Sequence, residues 1–175
     1  YVLCAMKAPK NNFRFKCKLY SLDATTISLC LSLFPWAKFR KNKGGIKVNT
    51  VLDHDGHIPA FVIVGEAKTH ESRMVNSLAL PKGSIVTFDK GYNNYTWFNL
   101  LCAKGIFFVT RLKENAVCTL IERRPLNRKN GVTSDHIIEV SHSQGQTLRL
   151  RRIGYKDAET GKQYEFLTNH FRLSA

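Results

Sequence analysis

Residues 84–111, SIVTFDKGYNNYTWFNLLCAKGIFFVTR, carry the clearest signal of the fold. This segment opens with a short apolar run that ends at Asp89 and closes with a second apolar run, IFFVTR. Between them, Trp97, Leu100 and Leu101 share the spacing of one helical face, and Gly105 is suited to end a helix. The segment therefore predicts strand, helix, strand, with the first strand fully buried and parallel to its neighbour.

The residues before this segment predict more of the same sheet. The segment from Leu19 to Leu33 is rich in Leu, Ile and Thr, which favours a buried strand. IKVNTVLD and HIPAFVIVGE flank a D-G turn and predict a β-hairpin. Thr69 is a suitable N-cap for a short helix that ends before Pro81.

The residues after Lys113 have a different sequence pattern. AVCTLIERR, HIIEVSH, TLRLRRIG and QYEFLTN are β-rich segments separated by turn residues, which predicts an all-β subdomain. The fold class is therefore α/β: a mixed sheet with flanking helices, plus an inserted all-β subdomain. We divide the chain into a basic arm (1–18), an α/β core (19–113), the β subdomain (114–170) and the start of a further part (171–175).

The overall charge indicates the class of partner. The chain carries 27 Lys and Arg against 13 Asp and Glu, a net charge of +14, which is typical of proteins that bind phosphate backbones. The longest apolar run, near residues 29–37, is interrupted by Ser32 and Pro35 and is too short to cross a membrane. Five cysteines without a CxxC pair indicate reduced thiols in a cytoplasmic protein rather than a zinc site.

Two isolated aspartates stand out against this basic background. Asp23 is the only acid in residues 1–50, and Asp89 is the only acid between Glu71 and Glu114. An acid in an apolar strand is costly unless it is compensated, and Mg²⁺ is a suitable compensating ion. Two such ions can activate water and stabilise the leaving oxygen in phosphodiester cleavage. The alternative is that each aspartate caps a strand end or pairs with a nearby lysine.

The ordered series SLDATTI, KGGIKV, the DHDG hairpin, VTFDKGY and FFVTRLKEN resembles bacterial insertion-sequence transposases of the DDE type. The resemblance implies an RNase H-like catalytic core with a β domain inserted before the last acid. It places the first two catalytic, metal-binding aspartates on Asp23 and Asp89 and brings Arg111 close to DNA. It further implies two Mg²⁺ ions (Mn²⁺ could substitute), transposon-end and target DNA as partners, a homodimer on DNA, and a nucleoid-associated cytoplasmic location.

One part of the family pattern is missing. The third acid belongs to a helical motif, Y-x2-R-x3-E-x6-K, and none of the six tyrosines here has an arginine three residues later. The chain also begins at Tyr1 rather than Met. We therefore expect a fragment that stops before the third acid and cuts no DNA by itself.

Several further residues are candidates for contact with DNA. Lys90 and Tyr92 flank Asp89 and could meet a phosphate or stack on a base, while Arg111 faces either DNA or water. A basic run beside Trp36 and Phe39 is either a DNA-facing loop or a solvated surface; it comprises Lys38, Arg40, Lys41 and Lys43. For Asp53, His54, Asp55 and His57, a tight turn explains the residues better than a metal site does.

Two other functions remain open beside the transposase. One is an RNase H-like nuclease or resolvase, which cuts DNA and joins nothing. The other is a non-catalytic DNA-binding remnant of a transposase.

Overall fold

This computed structural model describes residues 6–7, 9, 13, 15–30, 32–40, 43–66, 78–126, 129–141 and 147–175. The chain divides into two compact units, Tyr1–Thr87 and Phe88–Ala175, and each is described separately. The fold class is mixed α/β, as predicted, and is consistent with an RNase H-like transposase domain. None of the helices in the described part of the chain is long and apolar enough to span a membrane.

The first unit is built on β1 (Leu19–Leu29), β2 (Lys38–Arg40), β3 (Lys43–Asp53) and β4 (Ile58–Glu66). β3 pairs antiparallel with β1, β2 and β4. The predicted hairpin is confirmed as β3 and β4, joined by a turn in which Gly56 and His57 have positive φ angles of 78° and 56°. Glycine adopts such a φ without steric cost, which explains the D-G pair at this position.

β1 is shorter and less buried than its composition predicts. It ends at Leu29 rather than Leu33. Tyr20 and Leu22 are buried, but residues 25–28 are exposed, and Ile27 is 46% exposed. The prediction of a buried strand was therefore wrong for its second half, because β-branched composition reports strand preference rather than burial.

β5 (Ile85–Phe88) carries the chain from the first unit into the second. Within the first unit, the Ile85 amide donates to the Lys18 carbonyl at 2.8 Å, and the Thr87 hydroxyl donates to the Tyr20 carbonyl at 3.3 Å. The residue numbers of the contacting partners increase in the same direction along both segments, as they do for parallel strands. This agrees with the predicted parallel strand.

The second unit contains helix α1 (Tyr95–Ala103) and strands β6 (Phe107–Arg111), β7 (Cys118–Arg123), β8 (Val132–Ser141), β9 (Thr147–Lys156) and β10 (Gln163–Thr168). These strands lie in the order β6-β10-β9-β8-β7, and all of the pairings are antiparallel. The secondary structure confirms the predicted strand–helix–strand around Asp89 and the predicted β-rich second part of the chain.

Aromatic side chains form the core of the second unit. Phe98 on α1 and Phe108 on β6 are fully buried, and their rings stack with centroids 4.3 Å apart. Phe88 contacts both of these rings as well as Trp97. The Asn94 side chain caps the start of α1 by accepting from the Trp97 amide at 3.1 Å. The core therefore fixes α1 against the strand that ends at Arg111.

A buried ion pair joins β8 and β9. Arg151, 2% exposed, donates from Nε and Nη2 to the two oxygens of Asp135, both at 2.8 Å. Its Nη1 donates to the carbonyls of His170 and Leu173. One guanidinium thus holds the segment after β10 against the sheet.

The division into compact units differs from the predicted domain boundary. β6 pairs with β10 in the second unit, so the strands on either side of Lys113 share a sheet. The assignment of 114–170 as an inserted subdomain stays a prediction. Most of the short helix predicted from Thr69 falls within residues 67–77, which lie outside the described residues. Leu78, the last apolar position of that prediction, is described and is buried.

Candidate functional site

Asp89 follows directly after β5 and starts a short 3-10 turn, Lys90–Tyr92. Its backbone is extended, with φ −73° and ψ 158°, and its Oδ1 accepts from the Lys90 amide at 2.7 Å. Because the carboxylate caps this turn, its position is fixed while 55% of the side chain stays exposed. The strand and the turn therefore present one carboxylate to solvent in a defined place.

Arg111, the last residue of β6, lies beside this carboxylate. Its Nη2 donates to Asp89 Oδ1 at 2.8 Å. The hydrogen bond from Arg111 is the main reason that the pKa of Asp89 lies below its ordinary value. The same bond holds the pKa of Arg111 above its ordinary value. Asp89 is therefore ionised at neutral pH, as a cation ligand must be.

Asn93 ties the turn to β6, and sequence reasoning missed it. Its Nδ2 donates to the Arg111 carbonyl at 2.9 Å, and its Oδ1 accepts from the Thr110 hydroxyl at 2.9 Å. Lys113 Nζ reaches the Asn93 carbonyl at 3.4 Å. An asparagine directly after a turn is a known local signal, but its partners on β6 depend on the tertiary fold.

Lys90 and Tyr92 have different environments. Lys90 Nζ lies 3.3 Å from Glu114 Oε1, in an exposed ion pair. Tyr92 is 3% exposed, and its ring packs edge-on against Phe88. A buried ring presents no face to a base, so the predicted stacking of Tyr92 is wrong, and the residue belongs to the core.

Asp23 lies in the middle of β1 and is exposed. Strand alternation places Tyr20 and Leu22 on the buried face and Asp23 on the other, so the prediction of an acid embedded in apolar surroundings was wrong. Asp23 Oδ1 accepts from the Ala24 amide at 2.8 Å.

Asp23 and Asp89 lie in different units, and their proximity stays a prediction. Inside the first unit, Ser21 Oγ and Thr87 Oγ1 are 3.0 Å apart.

Both aspartates have the chemistry that a hard cation requires. Among the described residues, each uses only Oδ1 in hydrogen bonds, so Oδ2 has no partner there. Exposed carboxylate oxygens fit Mg²⁺. The described part of the chain contains no group of three or more His, Cys, Asp or Glu that could hold a metal ion.

The hairpin cluster in the first unit is structural. Asp53 is fully buried, and its Oδ2 accepts from Lys18 Nζ at 2.9 Å. Its Oδ1 accepts from the Asp55 amide at 2.9 Å, which closes the turn. His54 Nε2 lies 2.6 Å from Ser21 Oγ. These contacts agree with the turn interpretation of the DHDG sequence.

The basic run lies around β2 and the start of β3. Lys38 and Arg40 lie on β2, and Lys43 begins β3. The description covers only the backbone of these residues, and Lys41 lies outside the described residues. Contact between this run and DNA stays a prediction.

The chain is thus a basic mixed α/β protein that presents an ionised aspartate beside an arginine. A profile of the family described as Transposase DDE domain matches residues 16–171. The chain therefore belongs to the DDE transposase family, which confirms the resemblance noted in its sequence.

Two curated relatives agree with this assignment. A Sinorhizobium fredii protein provisionally named as the transposase y4zB is 30% identical over 155 residues, which covers 85% of this chain and 43% of that protein. A Geobacillus stearothermophilus protein provisionally named as the transposase for insertion sequence element IS5377 is 25% identical over 171 residues, covering 95% and 44%. The chain thus spans less than half the length of these relatives.

Proposed function

We propose that this chain supplies two carboxylates, Asp23 and Asp89, to a transposase site that breaks and joins phosphodiester bonds. The observation that carries the proposal is the exposed, ionised Asp89, capped onto the turn after β5 and held by Arg111. In the reaction, water attacks the phosphodiester at the transposon end and releases a 3′-hydroxyl. That hydroxyl then attacks a phosphodiester of the target DNA.

Asp23 and Asp89 are the residues that would hold Mg²⁺. When bound, Mg²⁺ lowers the pKa of water and neutralises charge on the phosphate oxygens. Arg111 contributes a guanidinium whose fork of donors matches phosphate oxygens. Asn93 positions Arg111 by binding its carbonyl. No protein nucleophile is required, because water and the 3′-hydroxyl are the attacking groups.

The shared cation can be tested without DNA. Fe²⁺ is bound in place of Mg²⁺, and hydroxyl radicals generated with ascorbate and peroxide cut the backbone near the ion. We expect cuts near residue 23 and near residue 89 in the unaltered chain. Both sets of cuts should disappear in Asp23→Asn and also in Asp89→Asn, because each substitution removes a ligand of the same ion.

Asp157→Asn is the matched control. Asp157 Oδ1 accepts from the Glu159 amide, and Oδ2 accepts from the Thr160 hydroxyl, in a turn of the second unit. This variant should keep both sets of cuts. If Asp89→Asn removes the cuts near 89 but leaves those near 23 unchanged, the two aspartates do not share a cation.

A strand-transfer assay with the whole protein separates the transposase from a nuclease on the same fold. A transposase joins the cleaved end to target DNA, whereas a nuclease or resolvase releases it. A non-catalytic remnant binds DNA through its net charge of +14 and does neither.

A further inference from the structure

A cavity of about 410 Å³ opens in the second unit beside Arg111. We call it the cationic cavity and define it by Lys90, Arg111, Lys113, Arg152, Gln163 and Tyr164. Its lining also contains two carboxylates, Glu114 and Glu165. Four cations against two anions leave a positive balance, and the volume falls within the range of small-ligand sites.

Arg152 on β9 leaves one of its donors unpaired among the described residues. Its Nη2 lies 3.2 Å from His136 Nδ1, and its Nη1 lies 3.8 Å from Glu165 Oε1, beyond hydrogen-bond length. Nη1 also approaches Cys118 Sγ, a weak acceptor, at 3.9 Å. Nε is buried and has no hydrogen-bond partner among the described residues. Buried donors are rarely left unpaired, and an arginine has five of them to satisfy.

An anion in the cavity would bind Arg152 through its Nη1 and Nη2 groups, because the buried Nε has too little accessible surface for a phosphate oxygen to reach it. A phosphate group offers several strong acceptors and matches the planar fork of a guanidinium. Arg111, 46% exposed at its side chain, keeps further donors beside its single bond to Asp89. Gln163 and Tyr164 add polar groups to the lining, from the start of β10.

We propose that the cationic cavity is a phosphate subsite that binds a phosphodiester of the DNA strand, with Arg152 as its central ligand. The inference rests on the proposed function, because the same DNA is to be cleaved beside Asp89. It extends the DNA contacts from the turn after β5 to strands β9 and β10. The subsite requires no metal.

The test measures binding of a fluorescein-labelled duplex oligodeoxynucleotide by anisotropy in EDTA, across a series of salt concentrations. Arg152→Gln should weaken binding and lower the slope of log affinity against log salt by about 0.9, because one phosphate fewer is neutralised. Arg149→Gln is the matched control, because Arg149 lies on the same strand, is 58% exposed at its side chain and is absent from the cavity lining. Equal effects of the two substitutions would overturn the proposal.

A second measurement does not depend on how well Arg152→Gln folds. The Nε–Hε signal of Arg152 in ¹⁵N NMR of the unaltered chain is followed during titration with the dinucleotide TpT, with oligothymidylate and with inorganic phosphate. A shift with TpT or oligothymidylate supports the subsite. A shift with inorganic phosphate alone, or no shift at all, overturns it.

The outcome is separable from that of the proposed function. Asp23→Asn in EDTA should leave the difference between Arg152→Gln and Arg149→Gln unchanged. A failure of the shared cation would appear only in the Fe²⁺ experiment, and a failure of the subsite only in these two.

Discussion

Replacing Arg151 with methionine should destabilise the second unit severely. Arg151 is 2% exposed, and the side chain of its partner Asp135 is 6% exposed. The substitution removes both hydrogen bonds to the buried carboxylate and leaves it, among the described residues, only Arg124 Nη1, at 4.0 Å. It also removes the donor to the carbonyls of His170 and Leu173. Removing one partner of a buried ion pair costs about 3–5 kcal/mol. A whole domain is stable by only about 5–15 kcal/mol.

Tryptophan fluorescence can follow this unit by itself. The chain has two tryptophans, Trp36 in the first unit and the buried Trp97 in the second. In a Trp36→Phe background, urea unfolding monitored through Trp97 reports on the second unit. With a slope of about 2 kcal/mol per M urea, a loss of about 4 kcal/mol lowers the midpoint by about 2 M.

Two further variants test whether breaking the buried ion pair causes this loss of stability. Arg149→Met removes an exposed arginine from the same strand and should change the free energy of unfolding by less than about 0.5 kcal/mol. Arg151→Met combined with Asp135→Leu removes both charges and should recover part of the loss, because no unpaired carboxylate remains. A loss below about 1 kcal/mol for Arg151→Met alone would refute the reasoning from burial.

Three other predictions concern pH and charge. Burial, and then the charges of Arg151 and Arg172, lower the pKa of His170 in the folded chain below 6.5. The neutral ring therefore contributes its full stability above pH 6.5, and this contribution is lost as pH falls through the lower pKa of the folded chain. His170→Asn cannot take up this proton, so the drop in melting temperature between pH 7.5 and pH 5.5 should shrink; an unchanged drop would assign it to other groups. Arg111→Ala should raise the pKa of Asp89 toward 3.8, measured by carboxyl ¹³C NMR, and an unaltered titration would contradict the ion pair. Neutralising the basic run should make the salt dependence of DNA binding shallower by about 0.9 for each phosphate that the run neutralises, whereas an unchanged slope would mean a solvated surface; the run comprises Lys38, Arg40, Lys41 and Lys43.

Sequence patterns predicted most of the local structure and the family. Apolar spacing predicted the strands and helix around Asp89, and the D-G pair predicted the β3–β4 hairpin. The ordered motifs that contain Asp23, Asp89 and Arg111 indicated the DDE family, which the family profile confirms. Burial was predicted less well. Asp23 is exposed because composition does not specify which strand face is covered, and Tyr92 is buried because its turn packs against Phe88, a contact that depends on the tertiary fold.

Local sequence was enough to specify the elements and the chemistry of the individual side chains, since periodicity and turn preference act over a few neighbouring residues. Which side chains meet depends instead on the tertiary fold. Asn93 binds Arg111 across 18 residues, Arg111 binds Asp89 across 22, and Arg151 binds Asp135 across 16. Such pairs depend on strand register and on the packing of α1. A shift of one residue in register would turn the strand residues Arg111, Asp135 and Arg151 to the opposite face of the sheet.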